Sequence, residues 1–344
     1  MARGSCGVKA FVVTGPRRSE VAEVPRPAPA PGQVVVDIER VGVCGTDVEL
    51  FTGDMEYLNN GHAAYPMRLG HEWCGTVTAV GDGVDAGWLG RRATGDTMLG
   101  CGTCDRCRGG RPHVCEFRFE IGIRGGFPGA LAEQLAVPAG ALHELPDAVD
   151  EVAGALVEPG GTALRAVQAA ALRPGDRVLV LGPGTIGLLV ALFALAHGAE
   201  VHVLGLPGPS LGFARGLGVH GAWTADDLPR VPFDAVVDAS TSPDLPSLAL
   251  DLVEPGKRVV LIGVAGRRSL IDARAVVLKD LTAVGILGAS AGLAGTIASY
   301  AAGSVDPRPL VAATVGLSRV GDVLAGWRPS GSGPGPKVHV DPRA

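Results

Sequence analysis

The stretch VLVLGPGTIG, residues 178–187, passes from an apolar run into three glycines and on into the helix-period segment TIGLLVALFALAHG. Gly182 permits a tight turn, Gly184 lets a pyrophosphate approach the backbone, and Gly187 lets helix and strand pack closely. A helix N-terminus placed there favours a phosphate through its free N–H groups and its dipole. With Thr185 and Ile186 opening the helix, residues 182–187 read as a dinucleotide-binding loop. The next strand, AEVHVLG, runs into Gly205, Leu206 and Pro207 where an acid would hold the ribose hydroxyls. An acid would also repel a 2′-phosphate, so Gly205 and Leu206 leave both NAD and NADP open, with a slight lean to tolerance of NADP.

Outward from this loop one rhythm continues. DRVLVLG, AEVHVLG, FDAVVDAS and KRVVLIG are apolar on both faces, as strands of a parallel sheet are. The intervening TIGLLVALFALAHG, SLGFARGLG and DLPSLALDLVE supply crossover helices. The earlier part of the chain alternates short strands with Gly/Pro turns, as in GQVVVDIERVGV, CGTVTAVGDGV and GALAEQLAVP, and predicts a compact all-β lobe, a barrel. The expected class is α/β, a β-rich domain joined to a doubly wound parallel sheet. The change of rhythm suggests boundaries at 1–155, 156–290 and 291–344, the last segment ending in a Gly/Pro-rich loop and one short strand.

At 344 residues two domains are natural. The 30 Lys and Arg are scattered among 35 Asp and Glu, which argues against a nucleic-acid partner. The apolar stretches are too short and too glycine-punctuated for a membrane span of about 20 residues, so no membrane partner is expected. MARGSCGVKAFVV shows no apolar core followed by a cleavage site, which predicts a cytoplasmic protein. In that compartment seven cysteines are thiols or metal ligands rather than disulfides.

Cys6, Cys44 and Cys74 are solitary, but CGTCDRCRGGRPHVC places Cys101, Cys104, Cys107 and Cys115 in one loop. Four thiolates around one tetrahedral ion close its coordination shell, which predicts a structural zinc. A catalytic zinc keeps one position open and needs about three ligands of mixed type. VCGTD offers Cys44, GHEWCG offers His71 with Glu72 beside it, and LVEPGG offers Glu158. Singly, Cys44 reads as a buried thiol and Glu158 as a helix-entry carboxylate; beside the two loops, the three read as a metal site. Trp73 and Cys74 read as core. Tyr57, Asn59, Asn60 and His62 make the segment between Thr46 and His71 polar, which suits either a substrate rich in hydroxyls or a solvated loop.

GHE, CGTD, the four-cysteine loop, VEPGG and GPGTIG occur in the order and at the spacing of the zinc-dependent medium-chain alcohol dehydrogenases, which the chain resembles over nearly its whole length. The resemblance implies a GroES-like catalytic domain in two chain segments flanking a Rossmann domain, with the active site in the cleft between them. VEPGG resembles the sorbitol, threonine and glucose dehydrogenase branch, and GHEWCGTV looks most like dehydrogenases of polyols and cyclitols, including those of aminocyclitol biosynthesis. By this likeness Cys44, His71 and Glu158 would bind the catalytic zinc, and Glu72 would sit beside it or swap in as a ligand. Thr46 would hydrogen-bond the reacting oxygen, and with Glu49 standing where liver-type enzymes carry a histidine, a carboxylate or a water chain would pass the proton out. The cofactors implied are two zinc ions per chain and NAD or NADP, and the substrate a polyhydroxylated alcohol or ketone. The assembly implied is a homodimer, through pairing of LTAVGILG, or a homotetramer. Alternatives are redox-neutral zinc chemistry, elimination or epimerisation with recycled NAD(P), and a non-catalytic NAD(P)-sensing protein.

Overall fold

The structure is a computed structural model that describes residues 7–344; Cys6 lies outside the described residues. The chain forms two compact units, one of Met1–Glu158, Val311–Gly333 and Lys337–Ala344, the other of Pro159–Leu310 with Pro334–Pro336.

The second unit is built on six parallel strands. Val-rich Arg177–Leu181 pairs on one side with Glu200–Leu204, which pairs with Gly221–Trp223, and on the other with Phe233–Asp238, followed outward by Val253–Leu261 and Thr282–Gly285. In chain order the strands run 3-2-1-4-5-6, the Rossmann arrangement, which reverses direction at Arg177–Leu181. Val178, Leu179, Val180 and Leu181 are fully buried, as a strand covered on both faces requires. Helix Thr185–Ala196 follows the first strand directly. The unit continues to Leu310, past residue 290, because helix Leu293–Ala301 packs on the start of helix Val157–Ala170. Tyr300 and Thr296 lie so close over Gly160, and Leu293 over Gly161, that a Cβ at either glycine would crowd them.

The first unit is β-rich. Its largest sheet runs Leu142–Glu144, Arg92–Gly95, Glu72–Val80, Gln33–Gly42, Lys337–Asp341, Val311–Gly316, with Gln134–Pro138 also paired to Gln33–Gly42. Hydrogen bonds from Phe11 N–H to the Leu131 carbonyl and from Glu133 N–H to the Lys9 carbonyl join this sheet to a three-stranded one of Gly7–Gly15, Arg18–Pro25 and Met67–Arg68. Trp73, Ile38, Leu135 and Leu131 centre its core, and Cys74 is fully buried as the sequence implies. Among the described residues no helix is long and apolar enough to cross a membrane.

Candidate active site

In the glycine loop each glycine has its own steric reason. Gly182 adopts φ 100°, and a Cβ on Gly187 would collide with the carbonyl oxygen of Gly182. Gly184 faces open space, with nothing within 4 Å of where a Cβ would stand. That gap, at the helix N-terminus, fits a pyrophosphate. At the end of the second strand Gly205 lies under the Pro183 ring and Leu206 is 84 % exposed, and no carboxylate occupies these positions.

In the first unit Cys101, Cys104, Cys107 and Cys115 bring their sulfurs within 4.8 Å of one another. Cys101 and Cys107 are 4.0 Å apart and Cys104 and Cys115 3.8 Å. Sulfurs at about 2.3 Å from a tetrahedral zinc are about 3.8 Å apart, so the four fit that ion. Backbone N–H groups of Cys104 and Cys107 donate to the sulfurs of Cys101 and Cys104. The Thr103 hydroxyl, with the N–H groups of Thr103 and Cys104, pulls the Cys101 thiol down to about 5, toward the thiolate that binds metal.

The second cluster is assembled from distant parts of the chain. Cys44 caps helix Gly45–Thr52, while His71 and Glu72 stand at the start of strand Glu72–Val80. Their donor atoms lie within 4.8 Å of one another. Thr46 and Glu49 sit on that helix, both half-buried, and burial together with Asp54 pushes the Glu49 carboxyl up. Glu158, in the first turn of helix Val157–Ala170, is outside this tight trio but within its electrostatic reach. Burial raises its carboxyl to about 7, His71 and Lys337 oppose the rise, and Glu72 and Asp96 add to it. A carboxyl that resists ionising beside other carboxylates is one that a dication would relieve, so this donor set, too, fits a metal.

Two residues outside the expected set organise the cluster. Fully buried Asp47 accepts from the N–H groups of Cys44, at 2.9 Å, and Gly70, at 3.2 Å, and its carboxylate faces His71 Nδ1 at 3.4 Å. Burial alone would favour a neutral His71, but Asp47, assisted by Cys44, overrides it and holds the imidazole well above its usual range. Asp47 stands three residues after Cys44, where a capping carboxylate returns to the helix start; that spacing was the clue. The second is Lys337, whose Nζ lies 2.6 and 2.8 Å from the Glu72 carboxylate oxygens and donates to the Val43 carbonyl at 3.0 Å. Lysine and glutamate are 3 % and 1 % exposed. The clue to Lys337 was a lysine opening the short strand KVHVD.

The polar segment before His71 spends much of its polarity within the unit. Tyr57 donates to Glu120 and accepts from Arg118, Arg124 lies 5.5 Å above its ring, and Asn60 accepts from the His62 N–H. Asn59, Asn60 and His62 remain exposed on and beside the short helix Glu56–Asn59.

Residues 30–147 match the alcohol dehydrogenase GroES-like domain. An L-threonine 3-dehydrogenase of Idiomarina loihiensis is 32 % identical over 279 residues, which is 78 % of this chain and 80 % of that one. The chain belongs to the zinc-dependent medium-chain alcohol dehydrogenase family. Another relative in this family, a 2-dehydro-3-deoxy-L-galactonate 5-dehydrogenase of Pseudoalteromonas atlantica, is 30 % identical over 87 % of this chain and 89 % of its own. A structure described as a zinc-binding dehydrogenase from Sinorhizobium meliloti 1021, bound to NADP, is 27 % identical with a TM-score of 0.88, covering 98 % of this chain and 99 % of that one. The GroES-like and Rossmann units are those of this dehydrogenase family.

Proposed function

We propose that the protein is a zinc- and NAD(P)-dependent dehydrogenase that moves a hydride between a secondary alcohol of a polyol, sugar or cyclitol and nicotinamide. The observation that carries this is the cluster of half-buried Cys44 with buried His71 and Glu72, a mixed donor set within electrostatic reach of Glu158. Residues 1–158 and 311–344 would form the catalytic part, and Gly182, Gly184, Thr185, Ile186 and Gly187 would cradle the pyrophosphate. The thiols of Cys101, Cys104, Cys107 and Cys115 would hold a second, structural zinc, as suits a cytoplasmic protein.

Zinc, when bound, supplies Lewis-acid charge that lowers the pKa of a hydroxyl, for water from about 15.7 to about 7. Asp47, facing His71 Nδ1 at 3.4 Å, would orient the ring so that Nε2 could serve as its donor atom. The Thr46 hydroxyl holds the alcohol oxygen and accepts its proton, which Glu49 passes to solvent. The carbon gives its hydride to the nicotinamide, so alcohol and NAD(P)⁺ become ketone, NAD(P)H and a proton. A general base contributes about 10²- to 10⁴-fold, less than the metal does.

Assembly is proposed through the edge strand Thr282–Gly285, which is paired on one side only. Exposed Leu270, Val277 and Leu278 lie in the segment leading to it, an apolar surface of the kind that dimers cover. The function is tested by nicotinamide absorbance with cyclitols, polyols, sugars and simple alcohols, run with NAD⁺ and with NADP⁺, before and after chelation. Chelator-sensitive reduction with a polyhydroxylated substrate is expected. Silence across the panel in protein carrying two zinc ions per chain would overturn the proposal.

A further inference from the structure

Arg68 is a cation without a counter-ion. Among the described residues no hydrogen bond or ion pair reaches its guanidinium, and burial alone pulls its pKa down with no carboxylate opposing. Residues 1–6, MARGSC, contain no acid that could serve. Arg68 is half-buried, and its partly desolvated guanidinium keeps its donors open to an incoming anion.

The same side chain lines a pocket of about 280 Å³. Strand Met67–Arg68 runs antiparallel to Gly7–Gly15, with Arg68 opposite Val12, and both face the pocket. The remaining walls include Val24, Ala63, Ile123 and Phe127, and no other charged residue lines it. At about 30 Å³ for each water-sized group, the space holds roughly nine. Its chemistry is an apolar cleft with one directed polar group, the pattern of a small-molecule site. None of the residues given to the metal cluster or the dinucleotide loop lines it.

We propose that this pocket binds a small organic monocarboxylate, with the guanidinium of Arg68 holding the carboxylate and Val12, Ile123 and Phe127 covering an apolar tail. Arginine presents two parallel N–H groups that match a carboxylate. Inorganic phosphate suits the site less, because the lining supplies a single cation and otherwise apolar carbon.

The test is isothermal titration of the intact zinc-loaded protein with hexanoate and, separately, with hexanol. Hexanoate is expected to bind saturably with one equivalent per chain, and hexanol at least tenfold more weakly. Arg68→Met keeps the aliphatic stem and should weaken hexanoate by tenfold or more, while Arg68→Lys should retain part of the affinity. Because a carboxylate can also seek a metal, the titration is repeated on Cys44→Ser. Binding that survives Cys44→Ser and falls with Arg68→Met supports the pocket. Binding that falls with Cys44→Ser and ignores Arg68→Met overturns it, as does an absence of saturable binding at 10-millimolar-scale hexanoate to a wild-type protein whose thermal unfolding is cooperative.

Discussion

The two candidate metal clusters of the first unit are built in opposite ways. Four sulfurs come from a single loop of fifteen residues, Cys101 to Cys115, and Cys101 at its edge is exposed. The other cluster draws Cys44 from a helix cap, His71 and Glu72 from a strand start, and Lys337 from a strand near the C-terminus, and buries nearly all of it. In the first, the metal would organise the polypeptide. In the second, the polypeptide already holds the donors through Asp47 and Lys337, whose charges are neutralised within the protein. A closed, sulfur-only shell serves stability, whereas a pre-organised mixed shell with ionisable neighbours serves chemistry.

The comparison breaks most easily at Cys44. Cys44→Ser should halve the metal content from two ions per chain to one and lower turnover by about 10⁴-fold or more, with little change in thermal midpoint; elemental analysis and steady-state rates check this. Cys104→Ser should do the reverse, losing the other ion and about 4 kcal/mol of stability. At about 2–4 °C per kcal/mol for a unit of this size, its thermal midpoint should fall by about 10 °C while the surviving folded fraction keeps its turnover. If each variant damaged both properties equally, the division of labour would be wrong.

Lys337→Met sharpens the contrast further. It strands the Glu72 carboxylate in the interior, which costs about 3–5 kcal/mol for a buried pair broken on one side. Adding Glu72→Gln should restore most of that, and urea unfolding of the two single variants and the double measures the coupling. The smallest effect is expected of Glu49→Ala, a loss of about 10- to 100-fold in turnover with the metal content unchanged. Since burial and Asp54 raise the Glu49 carboxyl, the acid limb of the wild-type rate profile should lie above the ordinary glutamate range. The limb should disappear in Glu49→Ala, and an unchanged profile would remove Glu49 from the proton path.

What the sequence revealed follows the same divide. The four-cysteine loop and the glycine loop are local, so spacing alone exposes them, and the Val-rich strands around VLVLG gave the parallel sheet. The strand order of the β-rich sheet was hidden because it depends on Lys337–Asp341 pairing beside Gln33–Gly42, a contact between distant parts of the chain that periodicity does not encode. Asp47 was visible as a residue of CGTD, but its double duty toward Cys44 and His71 exists only once Gly70 is brought beside it. Lys337 was harder still, because its partner stands 265 positions earlier. The segment holding Tyr57 read either as a substrate wall or as a solvated loop, and Glu120 and Arg118 engage the Tyr57 hydroxyl.

That separation also gives the active site a timetable. At about 5–20 residues per second, a ribosome needs roughly 13–53 s after placing Glu72 to place Lys337. Throughout that interval the Glu72 carboxylate lacks the cation that it pairs with in the folded protein. The sulfur loop has all four ligands within a few seconds of starting. The four thiols can therefore be brought together soon after Cys115 is made, whereas the Glu72–Lys337 pair must wait for 265 further residues.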